Sequence, residues 1–265
     1  MNGDLQPPTM GAVNWIGLWT LYLREVRRFI KVFTQTLMAP VATTLLFLAV
    51  FALALGGAVR MVGDVPFLEF LAPGLIVMAI AQNAFANTSS SIMIAKVQGN
   101  IIDTLMPPFT AHELTFGLAM GGVTRGVMVG FVVAMAMLPF VPMKVHALGF
   151  VLYHGFMASL MLSLLGIVGG IWSVKFDHIA AVTNFVVTPL AFLSGTFYSI
   201  ERLPHAAQVA AHLNPFFYMI DGVRYGVTGH ADGSLAAGVL VMAGVNAALW
   251  ALSTWMFATG YRLKA

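Results

Sequence analysis

Polar side chains interrupt two otherwise apolar stretches of the sequence, and they are the first candidates for chemistry. Asn83, Asn87 and Ser91 repeat every four residues, so they share one face of an α-helix. Arg125 stands among glycines in a second apolar stretch. In lipid, such groups either form hydrogen bonds between helices or line a polar path. Both interpretations are open for these four candidate path residues.

Recognisable catalytic motifs are missing from the sequence. The chain has no Gly-Lys pair, which excludes the phosphate-binding loop G-x-x-x-x-G-K-[ST]. His112-Glu113 begins like the zinc motif H-E-x-x-H, but Phe116 stands where the second histidine belongs. There is no G-x-S-x-G nucleophile motif, no cysteine, and the seven histidines are scattered. We therefore predict no catalytic residue, no metal site and no enzymatic activity of the chain's own.

The composition indicates that the protein is dissolved in lipid. Of its 265 residues, 59% are hydrophobic and only 9% are charged, with a mean hydropathy of +0.88, whereas soluble domains carry about 25% charged residues. The net charge is +3 and basic residues occur in ones and twos, so the sequence lacks the clustered basic residues of a nucleic-acid-binding surface. We predict an all-α polytopic membrane protein that does not bind nucleic acid.

Six segments are apolar over the roughly 20 residues that a helix needs to cross a bilayer. These predicted spans are Thr36–Val59, Phe70–Ala95, His112–Phe140, Val145–Val174, His178–Ile200 and Gly233–Tyr261. With this count, Lys and Arg concentrate on the side that holds both chain ends, at Arg24, Arg27, Arg28, Lys31, Lys96, Lys175, Arg262 and Lys264. Positive residues favour the cytoplasmic side, so both termini are predicted to be cytoplasmic.

Two further segments have mixed polarity. Residues 1–35 carry an apolar stripe at helical spacing, opposite charges at Arg24, Glu25, Arg27 and Arg28. This predicts an interfacial helix whose charges face the cytosol, either as a lipid anchor or as a partner contact. Leu203–Ile220 is too polar and too rich in proline to cross lipid alone. It favours either a pair of short re-entrant helices or a surface loop.

The cytoplasmic loop 96–113 connects the second and third spans. Val97–Met106 is predicted to form one short helix, which Pro107-Pro108 ends because proline cannot continue a helix. Its apolar face consists of Ile101, Ile102, Leu105 and Met106. Such a helix either acts as a lever or simply connects two spans.

Taken in order, these segments resemble the permease subunit of type-2 ABC exporters over nearly the whole chain. The similarity rests on Arg24-Glu25-Val26-Arg27-Arg28, Gln35–Pro40, Leu71-Ala72-Pro73-Gly74, Asn100–Leu105 with Pro107-Pro108, Phe192–Tyr198, and Asn214-Pro215 with Tyr218, Asp221 and Arg224. The resemblance implies an N-terminal region 1–35 and a six-span domain 36–265 in the bacterial inner membrane. It implies a homodimer with two copies of a separate ABC ATPase, which uses ATP and Mg²⁺, while this chain binds no cofactor.

The resemblance also assigns roles to individual residues. Loop 96–113 would be the coupling helix that contacts the ATPase, through Val97, Asn100, Ile101, Ile102, Asp103, Leu105 and Met106, together with Arg24, Glu25, Arg27 and Arg28 of the interfacial helix. Segment 200–229 would be a re-entrant pair closing the outer mouth, with Asn214, Pro215, Tyr218, Asp221 and Arg224. Asp221 and Arg224 are three apart and so are expected to pair on one helical turn.

The function implied is ATP-driven export by alternating access. The 17 Met and 20 Phe residues favour a hydrophobic or lipid-linked substrate, because such side chains form adaptable apolar surfaces. The alternative is an ATP-independent carrier, or a membrane scaffold or assembly protein. An ion-driven carrier usually needs carboxylates inside the membrane, and here Asp and Glu lie at span ends or in loops.

Overall fold

The computed structural model describes residues 13–55 and 61–263 of the chain. The beginning of the predicted N-terminal region, the end of the first predicted span, and the basic residues Arg60 and Lys264 lie outside these ranges.

Helices make up nearly all of the described structure, which confirms the all-α class. They are α1 (Trp15–Ile30), α2 (Phe33–Leu55), α3 (Phe67–Val97), α4 (Ile101–Leu105), α5 (Ala111–Met137), α6 (Leu148–Trp172), α7 (Phe176–Val182), α8 (Thr188–Leu193), α9 (His205–His212), α10 (Pro215–Thr228) and α11 (Leu235–Thr259). A π-helical turn over Thr183–Val187 joins α7 to α8, and a 3₁₀ turn covers Ile200–Arg202. A two-residue hairpin, β1 (Met61–Val62) and β2 (Val65–Pro66), precedes α3.

Within the described ranges, six helical segments are long and apolar enough to cross a membrane: α2, α3, α5, α6, the continuous run α7–α8, and α11. They match the six predicted spans. The fifth span is shorter than predicted and ends at Leu193 rather than Ile200. The reason is Gly195, whose φ of +72° takes the chain out of the helix, a conformation that favours glycine.

Between the fifth and sixth spans lie α9 and α10, the two short helices predicted for the mixed-polarity segment. Asn214 caps α10, since its side chain accepts a hydrogen bond from the Phe216 amide at 3.0 Å. Pro215 occupies the first helical position, where its missing N–H costs nothing. Gly229, with φ +77°, ends the helix in the left-handed conformation.

α3 lies at the centre of the fold, packed against α5, α6 and α10. Small residues make this approach possible. Thr88 of α3 donates to the Ser163 carbonyl of α6 at 2.7 Å, and Ser163 donates to the Ala119 carbonyl of α5 at 2.8 Å. A Cβ atom added at Gly122 of α5 would overlap the Ser163 hydroxyl. The glycines of the third span therefore serve close helix packing, as small residues do in membranes.

Replacing a packed glycine should loosen this core. A Cβ atom at Gly166 of α6 would overlap the Thr88 hydroxyl and lie 2.6 Å from the Phe85 carbonyl oxygen. We expect Gly166→Ala to lower the free energy of unfolding by about 1–3 kcal/mol, the usual cost of overpacking. Thermal unfolding of the purified protein in detergent measures the effect.

Gly155 is the matched control, because it lies in the same helix and a Cβ there meets nothing within 4 Å. Gly155→Ala should leave the stability unchanged or slightly raised, since alanine favours helix more than glycine does. Equal effects of the two substitutions would contradict the packing role of Gly166.

Candidate functional site

The predicted interfacial helix forms α1, and one side of it packs along the first half of α5. The Asn14 amide donates to Glu113 Oε1 at 2.7 Å. Further along, Leu21 lies against Gly117 and Glu25 lies against Gly121, so the two helices run in the same direction. Of the predicted apolar stripe, Leu18 and Phe29 are buried, whereas Trp15 and Trp19 stay exposed; Leu21, outside that stripe, is buried as well. Protein therefore covers part of the face predicted to meet lipid.

Glu25 does not face the cytosol, and that expectation is wrong. Its side chain is 1% exposed, because the helix turns it towards α3 and α5. There it accepts a hydrogen bond from the Ser91 hydroxyl at 2.9 Å and pairs with Arg24 at 3.2 Å and with Arg28 at 3.3 Å. These three partners compensate the buried charge, as a buried carboxylate requires. Arg24 and Arg27 remain exposed, and Arg28 is partly buried.

The polar face predicted for α3, formed by Asn83, Asn87 and Ser91, lies in two different environments. Asn87 is fully buried, and its backbone and side-chain oxygens both accept hydrogen bonds from Arg28. Ser91 binds Glu25, as described above. Both residues thus attach α1 to α3, which is the interhelical alternative, and the side chain of Asn87 is buried in that contact. Asn83 instead borders a cavity and accepts a hydrogen bond from Arg125 Nη2 at 3.2 Å.

The cytoplasmic loop is built differently from the prediction of one helix over Val97–Met106. α3 continues through Val97, and Gly99 interrupts the helix with a φ of +74°. Only Ile101–Leu105 forms the separate helix α4. The left-handed conformation at Gly99 is the reason, because an α-helix cannot pass through it.

The predicted apolar face of the loop is also divided. Ile101 and Thr104 are buried against the protein, and Leu105 is partly buried. The exposed members of that face are Ile102 at 58% and Met106 at 75%. Val97, at the end of α3 and not part of the predicted face, is 57% exposed, and Asn100 and Asp103 are exposed as well. Arg24 Nη1 donates to the Thr104 hydroxyl at 2.9 Å, which ties α4 to α1.

Two cavities lie beside α3, one along its last turns and one along its first half. The first, of about 780 Å³, is a cleft between α1 and the loop of α4, and its charged lining comprises Arg24, Glu25, Arg27, Arg28, Lys31 and Asp103. The second, of about 570 Å³, lies between α2, α3 and α8, and Arg125 reaches it from α5. We call this second cavity the membrane cavity. Its other polar lining residues are Gln35, Thr36, Thr43, Thr44, Gln82, Asn83 and Thr188.

A buried charge cluster closes the opposite end of the molecule. Arg224 of α10 is fully buried and lies 4.0 Å from Asp221 and 3.9 Å from Asp232. Its guanidinium covers the Phe70 ring at 3.8 Å and donates to the carbonyl oxygens of Phe70, at 3.3 Å, and Gly195, at 2.6 Å. The Asp221–Arg224 pair was expected from the sequence, and the structure confirms it.

The cluster connects several segments that are distant in the sequence. Asp232 also accepts hydrogen bonds from the Ile200 amide at 3.1 Å and shares one with His230 Nε2 at 2.9 Å. Asp221 accepts from the amides of Asp232 and Gly233. Burial raises the pKa of the Asp221 carboxyl, while those amide hydrogen bonds act in the opposite sense. Asn214, which caps α10, and Tyr218, in its first turns, are also buried. Asn214 donates a hydrogen bond to the Leu190 carbonyl at 2.8 Å.

Six helices of membrane-spanning length, with a polar cavity between α2, α3 and α8, are the architecture of a polytopic membrane protein with a candidate transport path. The model of the ABC-2 type transporter family matches residues 17–228, and the chain belongs to this family.

Individual relatives agree with this assignment. The chain is 39% identical over 230 residues to the inner membrane transport permease YadH of Escherichia coli (strain K12), covering 86% of this chain and 90% of that protein. It is 26% identical over 238 residues to nodulation protein J of Rhizobium leguminosarum bv. viciae, covering 87% and 89% of the two chains. The chain is thus a multi-pass inner-membrane protein and the membrane permease subunit of an ABC exporter.

Removing the central cation of the outer cluster should destabilise the protein strongly. We expect Arg224→Met to lower the free energy of unfolding by about 3–5 kcal/mol, because Asp221 and Asp232 would stay buried without their cation. Thermal unfolding in detergent, followed by the loss of monodisperse protein, measures this change.

Arg202→Met is the control on the same side of the molecule, since Arg202 is exposed and, among the described residues, its side chain makes one hydrogen bond, to the Met61 carbonyl at 3.4 Å. Its effect should stay within about 0.5 kcal/mol, as for most surface changes. A stability of the Arg224 variant equal to that of the Arg202 variant would contradict the structural role of the cluster.

Proposed function

We propose that this chain acts as one of two identical permeases that bind two ABC ATPase subunits and export a hydrophobic or lipid-linked substrate. ATP and Mg²⁺ would be used by the ATPase, and this chain would supply the path. The observation that carries the proposal is the exposed apolar patch of Val97, Ile102 and Met106 around α4. We call these three residues the coupling patch.

The coupling patch has the character of a partner surface. Fully burying one such side chain stabilises a complex by about 1.5–3 kcal/mol. Arg24, Arg27 and Asp103 are exposed charges of the neighbouring cleft between α1 and the α4 loop, which suit a polar rim beside an apolar centre. Ile101 and Leu105 pack inward, so they support the patch rather than contact a partner.

The surroundings of α4 suit it to transmit a force. It lies between the inner ends of α3 and α5, and the Arg24–Thr104 hydrogen bond joins it to α1. Asn83 and Arg125, which border the membrane cavity, lie on those same two long helices. An ATPase that moves α4 on binding ATP would therefore displace the helices that shape the cavity. This is alternating access, in which the partner's binding energy shifts a two-state equilibrium.

The exposed helices support a homodimer. In the most apolar 18-residue stretch of each helix, 17% of the residues of α2 and 11% of those of α7–α8 are buried, against 78% of those of α3. These two sparsely packed segments flank the membrane cavity. A second copy placed against them would cover apolar surface and enclose the cavity between two protomers. With α4 facing the ATPase, both termini would be cytoplasmic.

An ion-driven carrier is less well supported. Such a carrier usually needs an intramembrane carboxylate that can exchange protons or sodium. The buried carboxylates in residues 13–55 and 61–263 are engaged: Glu25 with two arginines, Glu113 with backbone amides, and Asp221 and Asp232 with Arg224.

Acidic substitutions in the coupling patch should release the ATPase. We expect Ile102→Asp combined with Met106→Asp to reduce the amount of co-purified ABC ATPase at least tenfold, because the new charges cannot be buried in an apolar contact. Affinity purification of the tagged permease from its native membrane, with quantitation of the bound ATPase and of ATP hydrolysis, makes the measurement.

The matched control is Met61→Asp, an identical change at a half-exposed apolar residue of the β1–β2 hairpin at the other end of the molecule. It should retain the ATPase fully. If the unmodified permease retains no ATPase, the exporter mechanism proposed here is wrong. If the patch variant retains it, the contact lies elsewhere.

A further inference from the structure

Arg125 is a cation without a counter-ion in the part of the chain that the structure describes. There its guanidinium makes one hydrogen bond, to Asn83, and no ion pair, and its buried Nε has no partner. A charge inside a membrane costs at least roughly 2.5–3.5 kcal/mol. The neighbouring cation Arg28, bound to Asn87 one helical turn along α3 from the Arg125–Asn83 pair, is paired with Glu25 at 3.3 Å, so that carboxylate does not serve Arg125.

The spare donors of Arg125 are available to a ligand in the membrane cavity. A guanidinium has five N–H donors in a planar fork that matches carboxylate and phosphate oxygens. Asn83 takes one of them. The Asn83 amide donates in turn to the Ala79 carbonyl at 3.0 Å, which holds its oxygen towards Arg125. Gln35 and Gln82 add further polar groups to the lining.

The membrane cavity changes from polar to apolar along its length. α2 and α3 are consecutive spans and run in opposite directions, so Gln35 and Thr36 lie towards the same end as Gln82 and Asn83. Towards the other end stand Phe47 of α2, Leu75 of α3 and Phe192 of α8, with the hydroxyls of Thr44 and Thr188 one turn before the two phenylalanines. From Gln35 to Phe47 the helix rises about 18 Å. That length accommodates a polar headgroup and an apolar body.

We propose that the membrane cavity binds an amphipathic anion. Its carboxylate or phosphate headgroup would lie on Arg125 and Asn83, and its apolar part would lie between Phe47, Leu75 and Phe192. The inference rests on the proposed function, for which it names the substrate class. A charge-assisted hydrogen bond in a site shielded from water is stronger than a neutral one, and the ligand's negative charge would offset that of Arg125. A neutral substrate leaves the cation uncompensated.

Binding can be measured without ATP or the ATPase. The chain contains no cysteine, so Thr43→Cys in the cavity lining provides a single site for a small fluorescent label. The labelled full-length protein, in nanodiscs of phosphatidylcholine, is titrated with 16-doxyl-stearic acid at a pH where the acid is ionised, and separately with its methyl ester. The nitroxide quenches the label when the chain enters the cavity. We expect half-quenching at a roughly tenfold lower concentration for the acid.

Variants of the cation identify its role. Arg125→Gln should abolish the preference for the acid, and Arg125→Lys should retain most of it. Lys144→Gln removes a charge outside the cavity lining and should change nothing. Equal quenching by the acid and the ester in the labelled protein that retains Arg125 overturns the proposal, and this test stands even if the Arg125→Gln variant does not fold. A preference that survives in a folded Arg125→Gln protein overturns it as well.

A final titration distinguishes two possible ligands with an anionic headgroup, a single-chain acid and a membrane phospholipid. Spin-labelled phosphatidylglycerol replaces the fatty acid, with spin-labelled phosphatidylcholine as its control. Quenching by the anionic phospholipid would show that a membrane lipid can supply the anion, whereas quenching by the acid alone restricts the site to single-chain amphiphiles. Either result supports an anionic site. A permease that binds the acid but retains no ATPase would refute the exporter mechanism and leave the site intact.

Discussion

A membrane helix that carries polar groups must find partners for them inside the protein, because lipid offers none. α3 meets this requirement along its inner half, and much of the fold follows from it. Thr88 binds the backbone of α6, Asn87 binds Arg28, and Ser91 binds Glu25. These contacts fix α1 and α6 to the central helix. Asn83, one turn from Asn87, bonds to Arg125 beside the membrane cavity.

The two ends of the molecule use charge in different ways. At the outer end, Arg224 lies between two carboxylates and two carbonyl oxygens, and the cluster joins α3, α10 and the loops on either side of α9 and α10. Towards the α4 end, Glu25 joins α1 to α3, whereas Arg125, at the middle of α5, has no carboxylate partner within the described residues. The compensated clusters hold helices together, and the uncompensated cation lies where a ligand could reach it.

Local patterns in the sequence predicted the helices, but they did not predict which charged side chains are buried. Apolar runs located the six spans, helical spacing located α1, and the separation of Asp221 and Arg224 indicated their pairing. Asp232, Phe70 and Gly195 complete that cluster from distant segments, so no local spacing reveals them. Glu25 has arginines on both sides in the sequence and was expected to be exposed. Only the packing of α1 along α5 shows that the carboxylate turns inward. The break at Gly99 was missed because a glycine alone does not show which φ it adopts.

The length of α3 has a mechanical consequence. Its 31 residues extend over about 46 Å, well beyond the roughly 30 Å hydrocarbon thickness. Its first turns carry Phe70, which Arg224 contacts, and its last residue is Val97, beside α4. One continuous rod thus joins the outer charge cluster to the inner loop. Coupling between two sites is reciprocal in free energy. Under the mechanism proposed above, an ATPase bound at the α4 end of this helix would shift an opening equilibrium at the Arg224 end, and a ligand bound at the Arg224 end would change the affinity for the ATPase by the same factor.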